Sequence, residues 1–242
     1  FGEFEFIFRK GITTTLVEDL IDIYKYRIFE TDNGIIKGST SLCNVYLSFI
    51  KRSHGEKLMV LFIDTEEKIL NSHILDSFSK ALFHISKRGI PYSKIESICN
   101  NEIEIQRARG VIGVLILGKT GILYFSKVKK ERTGIKKNIF QIAGFISALM
   151  IYSRDLIGDE NTGLKLEDID LGNYHFYLSM RSNVIFAYFV KKNNCSENVE
   201  RNAQIIFEEF LEKYYYSYVK NFSGDLTPFH EFEETINLYF DI

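Results

Sequence analysis

The chain has 242 residues, of which 45% are hydrophobic and 26% are charged, a composition typical of soluble globular domains. Its formal net charge is −2, so no overall field would recruit nucleic acid, and we predict no nucleic-acid partner. Three scattered cysteines match no metal-ligand spacing and indicate reduced thiols, while the longest apolar run, Ile139–Tyr152, is too short to span a bilayer.

The first part of the chain alternates predicted strands and helices. Phe4 and Phe6 alternate with Glu3 and Glu5, which predicts a strand over Phe4–Phe8. A helix, three strands and two further helices follow, predicted from periodicity, caps and turn residues over Thr13–Phe29, Ile35–Ser39, Leu42–Lys51, Lys57–Asp64, Leu70–Lys87 and Ser93–Arg107.

Two very apolar strands are predicted next, Val111–Leu117 and Ile122–Val128, joined by a tight turn with a glycine at each end. Gly113–Thr120 also matches the P-loop pattern GxxxxGK[ST]. A P-loop needs a flexible loop and then a helix whose N-terminus faces the phosphate, whereas strand-forming residues stand on both sides of this turn. Because strand amides are used in sheet pairing, we predict a hairpin and no nucleotide site.

The remaining elements complete a second copy of the same order. They are a helix, three strands and two helices, predicted over Asn138–Ile157, Leu164–Asp170, Tyr174–Arg181, Val184–Val190, Glu197–Asn221 and Thr227–Phe240. The second half reads β-β-α-β-β-β-α-α, and the first half reads the same without its opening strand. We therefore predict an internal duplication with modules over 1–108 and 109–242. Since the chain begins at Phe1 rather than Met, we expect the absent strand upstream of Phe1 or in another chain.

This element order, with a hairpin, a very apolar crossing helix, a three-strand meander and a C-terminal helix pair, resembles the longin fold. The second half resembles it from Val111 to Ile242, and the first half resembles it from the second strand onward. The resemblance implies two α/β modules, each an antiparallel sheet of about five strands between helices, with four strands visible in the first. Tandem longin modules are typical of adaptors and exchange-factor subunits that act on small GTPases at membranes. Longins have no invariant motif, so the resemblance assigns no functional residue.

A basic segment between the hairpin and the apolar helix is one candidate binding site. Its six basic side chains could attract anionic lipid head groups, although a solvated loop tip is the preferred explanation. They are Lys127, Lys129, Lys130, Arg132, Lys136 and Lys137. RNA binding would need stacking aromatics between them, which the segment lacks.

A run of tyrosines near the C-terminus is a second candidate. Neighbouring helical residues differ by about 100°, so the four tyrosines between Tyr214 and Tyr218 cannot all face one core. We predict a protein interface that includes Tyr214, Tyr215 and Tyr218. Packing against Phe229 and Phe232 is the alternative explanation for some of them.

The sequence argues against an enzyme, a cofactor and a metal site. The five histidines are dispersed, no nucleophile motif is recognisable, and the acidic cluster Asp159, Glu160, Glu167, Asp168 and Asp170 lacks the alternation of a calcium loop.

We therefore predict a cytoplasmic, non-enzymatic adaptor or scaffold that binds a small GTPase, another longin-like subunit or a second copy of itself. It would be a subunit of a nucleotide-exchange complex in membrane trafficking, and the apolar helix and a sheet edge would form its platform. The alternatives are a small-molecule sensor and a peripheral module that binds anionic membranes.

Overall fold

The computed structural model describes residues 4–40, 43–52, 55–64, 71–157, 168–192 and 196–242. The chain forms two compact units, Phe1–Glu104 and Ile105–Ile242. The second unit begins slightly before residue 109 because Ala108 is held within it. The Ala108 N–H donates to the Tyr239 carbonyl at 2.8 Å, and Ala108 makes an isolated parallel bridge with Phe240.

The first unit is an antiparallel sheet in the order β1-β2-β3, with helices on both faces. Its elements are α1 (Thr14–Glu30), β1 (Asn33–Ser39), β2 (Asn44–Lys51), β3 (Lys57–Asp64), α2 (Ser72–Lys87) and α3 (Tyr92–Glu102). The Thr13 hydroxyl caps α1 by accepting from the Leu16 N–H, as the sequence predicts. Leu20 and Ile28 of α1 pack on one face of the sheet, and Leu82 of α2 belongs to the apolar cluster on the other.

The predicted strand Phe4–Phe8 is wrong, so the described part of this sheet has three strands rather than four. Ile7 and Phe8 pack instead against the apolar cluster of α2 and α3. Lys10 then donates to the carbonyls of Asn100 and Ile103 at 3.2 and 2.6 Å. These carbonyls lie at the end of α3, so tertiary contacts with helices hold the segment away from sheet pairing.

The second unit is a five-stranded antiparallel sheet in the order β5-β4-β8-β7-β6. Its elements are β4 (Val111–Gly118), β5 (Leu123–Val128), α4 (Thr133–Lys137), α5 (Ile139–Ile157), β6 (Asp168–Leu171), β7 (Tyr174–Arg181), β8 (Val184–Lys191), α6 (Val199–Tyr214) and α7 (Phe232–Tyr239). Together the units form the predicted mixed α/β fold with two antiparallel sheets. The predicted start of β6 at Leu164 lies outside the described residues.

The centre of the second unit is the pair β4 and β8. All eight residues of β4 are buried, and β8 is buried from Val184 to Val190. Ile139, Ala143 and Ile146 of α5 cover one face, while α6 and α7 cover the other. The residues of the P-loop pattern are therefore a buried strand and a hairpin turn, as the sequence predicts.

The C-terminal helices differ from the prediction at their ends. The predicted long helix ends as α6 at Tyr214 and continues as one π-helical turn, Tyr215–Val219. This turn adds a residue to the helical repeat, so Tyr214 and Val219 are both buried. The predicted last helix is divided into a 3-10 turn, Thr227–Phe229, and α7.

Gly113 offers a test of the packing between β4 and β8. A Cβ atom at Gly113 would lie 2.8 Å from Cδ2 of the buried Phe189 ring and 3.2 Å from Cγ2 of Val128. We expect Gly113→Ala to lower the free energy of unfolding by about 1–3 kcal/mol through overpacking. Gly144→Ala is the matched control, because a Cβ there meets no atom within 4 Å. It should raise helix stability by about 1 kcal/mol. Denaturant unfolding checks both values, and equal stability of the two variants would contradict the packing argument.

Candidate protein interface

Helix α5 is apolar on the side that faces solvent as well as on the side that faces the sheet. Its sequence from Ile139 to Tyr152 contains no charged residue. A helix that is apolar on all sides is normally buried on all sides, but here the described residues of its own unit cover only one face. We name the uncovered side the α5 outer face, and it consists of Phe140, Gln141, Gly144, Phe145, Ala148, Ile151 and Tyr152.

Large side chains on this face are exposed to a degree unusual for apolar residues. Phe140 is 72% exposed, Tyr152 63% and Phe145 51%. Exposed Gly144, Ala148 and Ile151 lie between them at spacings of three or four residues, so the face is a continuous stripe rather than scattered positions. A contiguous exposed apolar patch on a folded domain is typical of a protein or membrane contact.

The centre of the α5 outer face consists of small residues and is open to solvent. Gly144 and Ala148 lie one helical turn apart, between the larger side chains. Because nothing lies within 4 Å of a Cβ placed on Gly144, another backbone or side chain can approach the helix closely there. Ser147, on the opposite side, is buried, and its hydroxyl donates to the Lys119 carbonyl. The hairpin turn thereby holds the helix in place.

The first unit has a weaker version of the same surface. Helix α1 precedes a three-strand meander as α5 does, and its exposed side includes Ile23, Tyr26 and Phe29. The charged residues Asp22 and Lys25 form an ion pair of 2.7 Å beside them. This surface is therefore more polar than the α5 outer face.

In the structure, some side chains of the predicted basic segment have intramolecular partners and others are exposed. Lys127 is 15% exposed, forms an ion pair with Glu233 at 3.0 Å and donates to Asn237. Arg132 donates to the Tyr174 hydroxyl at 3.2 Å and lies over that ring. Residues of α7 and β7 therefore engage Lys127 and Arg132, and the contact of these two residues with an anionic surface stays a prediction.

The remaining basic residues lie around the short helix α4, where the sequence predicted only a linker. Lys130, Lys136 and Lys137 are exposed, and Lys129 is half-buried. Lys136 and Lys137 lie next to the N-terminal end of α5 in the chain. An anionic-surface role for these four residues stays a prediction.

The tyrosine run is likewise divided. Tyr214 is 2% exposed, and its ring packs 5.3 Å from that of Phe229 and 5.8 Å from that of Phe232. The prediction that Tyr214 belongs to a partner surface is therefore wrong, since it lies in the core. Tyr218 is 44% exposed and Tyr215 is half-buried, so their interface role stays a prediction. Tyr216, which the sequence did not single out, is 76% exposed.

A solvent-open groove of about 360 Å³ lies in the first unit. Its lining is mostly polar and consists of Asp32, Asn33, Ile50, Lys51, Arg52 and Lys87. The Lys51 ammonium donates to Asp32 at 2.9 Å and holds the pKa of that carboxyl below its usual value. Ligand pockets are usually largely apolar, so this groove gives the sensor hypothesis no support.

Other groups with possible chemistry are spread out. Asp168 pairs with His175 at 2.8 Å and Asp170 with Lys192, while Asp159, Glu160 and Glu167 lie outside the described residues. Within the described ranges, no three His, Cys, Asp or Glu side chains are grouped so as to hold a metal ion. None of the described helices combines the length and apolarity needed to cross a bilayer.

Comparison with known proteins gives weak likenesses to solved structures and none to a family model or a curated protein. No protein-family model matches the chain, and no curated protein matches it. Among solved structures, the chain is similar to the crystal structure of a Roadblock/LC7 domain from Streptomyces avermitilis, with 13% identity and a TM-score of 0.37. The match covers 47% of this chain and 92% of that domain. At so low a score the likeness carries no further conclusion.

Lys127 allows the division of the basic segment to be tested. We expect Lys127→Gln to lower the free energy of unfolding by about 1 kcal/mol, because it breaks the ion pair with Glu233. Lys130→Gln, at an exposed position three residues away, should change stability by less than about 0.5 kcal/mol. Thermal or denaturant unfolding measures both, and equal effects would mean that Lys127 is not a structural residue.

Proposed function

We propose that this chain is a non-enzymatic adaptor or scaffold that binds another folded protein through the α5 outer face. The observation that carries the proposal is the uncharged stripe of exposed Phe140, Phe145, Ile151 and Tyr152 around Gly144. Aromatic residues are enriched at the centres of protein interfaces, and charged residues are depleted there. The side chains of this face suit surface complementarity rather than acid–base or nucleophilic chemistry.

The partner in this proposal is a small GTPase or another longin-like subunit. The second unit has the element order on which the longin resemblance rests, with α5 as its apolar crossing helix. An apolar helix face beside a twisted sheet offers a rigid platform for a partner's mobile segment. If the partner is a GTPase, nucleotide exchange would follow from stabilising its switch loops in a distorted arrangement, without covalent chemistry on this chain. Such a chain would act as a subunit of an exchange complex in membrane trafficking.

Two substitutions test the surface. Gly144→Glu and Phe145→Glu each place a charge on the α5 outer face at a site with room for it, so both variants should fold. Each should weaken partner binding about tenfold or more, because the carboxylate loses water at an apolar interface. Ile74→Glu is the matched control, since Ile74 is a 62% exposed apolar residue on α2.

The measurement is capture of purified small GTPases and of longin-like subunits on the immobilised chain, with the GTPases held in GDP, GTP-analogue or nucleotide-free form. Selective recovery in one nucleotide state, lost in both α5 variants and kept by Ile74→Glu, supports the GTPase proposal. Recovery of a longin-like subunit with the same variant pattern supports the scaffold form. If no partner binds, or if the α5 variants bind as well as the unchanged chain, the proposal is wrong.

Exposure of Lys130, Lys136 and Lys137 favours a second candidate function, binding to anionic membranes. Each lysine near such a surface contributes about 1 kcal/mol, so reversing all three to Glu should lower affinity by about two orders of magnitude or more. Sedimentation with phosphatidylserine vesicles measures this change, and neutral vesicles are the control. Binding should also fall steeply with salt. Unchanged binding of the triple variant would rule out this role for the segment.

A further inference from the structure

The outer edge of β3 in the first unit has the chemistry of a strand that lies inside a sheet. From Leu58 to Ile63 the strand is apolar at every position. Met59, Leu61 and Ile63 pack in the cluster formed with α1, whereas Val60 belongs to the cluster of α2 and α3. An uninterrupted apolar run covered on both faces is typical of interior strands rather than edge strands.

Yet β3 is the last strand of its sheet in the described part of the chain. It pairs with β2 along its full length, from Lys57 opposite Lys51 to Asp64 opposite Asn44. All eight residues of β3 are only partly buried, while the five central residues of β2 are fully buried. The exposure therefore follows from the edge that faces away from β2.

This edge carries few of the features that keep edges from pairing. Proteins blunt exposed edges with prolines, bulges, glycines or charges within the strand. The pairing of β3 with β2 has a continuous register, and the charges of β3 stand only at its ends. At the opposite edge, by contrast, β1 contains Gly34, Gly38 and the charged Lys37.

The second unit shows what covers an equivalent strand. Like β3, β8 follows a hairpin partner and precedes a C-terminal helix, and its residues Ile185, Ala187 and Phe189 face α5 as the odd-numbered residues of β3 face α1. The outer edge of β8 is paired antiparallel with β4, with Leu115 opposite Ala187. The strand β4 is itself apolar and eight residues long.

We propose that the β3 edge is a docking site for an extended, apolar strand of a separate partner polypeptide, added antiparallel as β4 is added to β8. The sheet of the first unit would then have a fourth strand, and main-chain hydrogen bonds would supply affinity. Alternate side chains of the added strand would pack on the face covered by α1 and on the face covered by α2. This site is separate from the α5 outer face, and neither proposal depends on the other.

The probe for the test is a synthetic peptide with the sequence of residues 111–118 and two lysines at each end for solubility. Opposite residues of an antiparallel pair lie about 4.5–5.5 Å apart at Cα, within disulfide range. With oxidised glutathione as the acceptor of the two electrons released, we expect a Leu61→Cys chain to form a disulfide with peptides that carry cysteine in place of residue 113, 115 or 117. Peptides with cysteine in place of 114 or 116 should not react, because a shift of one residue turns the side chain to the other face.

Two controls make the outcome specific. Ala187→Cys, at the equivalent place on β8, should not be trapped, because the chain's own β4 occupies that edge. Hydrogen exchange of the unchanged chain with the cysteine-free peptide is a second measurement, and it does not depend on the folding of any variant. Hydrogen exchange of the β3 amides should slow by about tenfold or more with this peptide, and not with one that has proline in place of residue 115.

Trapping restricted to odd peptide positions, together with slowed exchange, supports the proposal. Equal trapping at odd and even positions would mean nonspecific apolar association and would overturn it. Unchanged exchange without any trapping would overturn it as well. So would protection of β3 in the peptide-free protein, accompanied by a dimer in sedimentation, because a second copy of the chain would then occupy the edge.

Discussion

The pairing of β4 with β8 is the interaction on which the second unit depends. Both strands are buried on both faces, so their backbone groups are satisfied only if each strand has a neighbour on either side. Both faces also need a layer of helices, which α5 supplies on one side and α6 with α7 on the other. The hairpin turn at 118–121 is an outcome of this arrangement. Gly113 and Gly118 allow close packing on aromatic rings, and Gly121 has a positive φ that serves the chain reversal. The spacing of Gly113 and Gly118 nevertheless imitates a phosphate-binding loop.

The same requirement is only partly met elsewhere in the chain. In the described part of the first unit, β3 has the apolar character of β8 but has a neighbouring strand on one side only. In the second unit, α5 has the apolar character of a fully enclosed helix with a sheet on one side only. In both places the sequence has more apolar surface than its own unit covers. The proposed adaptor or scaffold role would account for both, because other polypeptides would cover the remaining apolar surface.

The local sequence pattern was sufficient to predict the type and approximate bounds of elements that are strongly periodic or strongly apolar, such as β4, β8 and α2. It failed where distant residues decide the outcome. The segment Phe4–Phe8 alternates as a strand should, but Ile7 and Phe8 pack against helices about 70–90 residues away in the chain. Lys127 reads as part of a basic loop, yet its partner Glu233 lies on α7. The uncharged run after residue 139 predicts an apolar helix, whereas the side of α5 that stays exposed is known only once the helix is placed on the sheet.

Gly144 has a consequence for how this protein can diversify. Most positions that shape an interface also contact the core, so a change of binding preference usually carries a loss of stability. At Gly144 surface shape and stability are separated, because the space above it is open and every side chain except that of proline favours the helix more than glycine does. Descendants of one duplicated gene could therefore acquire different partners by single substitutions at this position. Their cores would remain unchanged while their binding surfaces diverged.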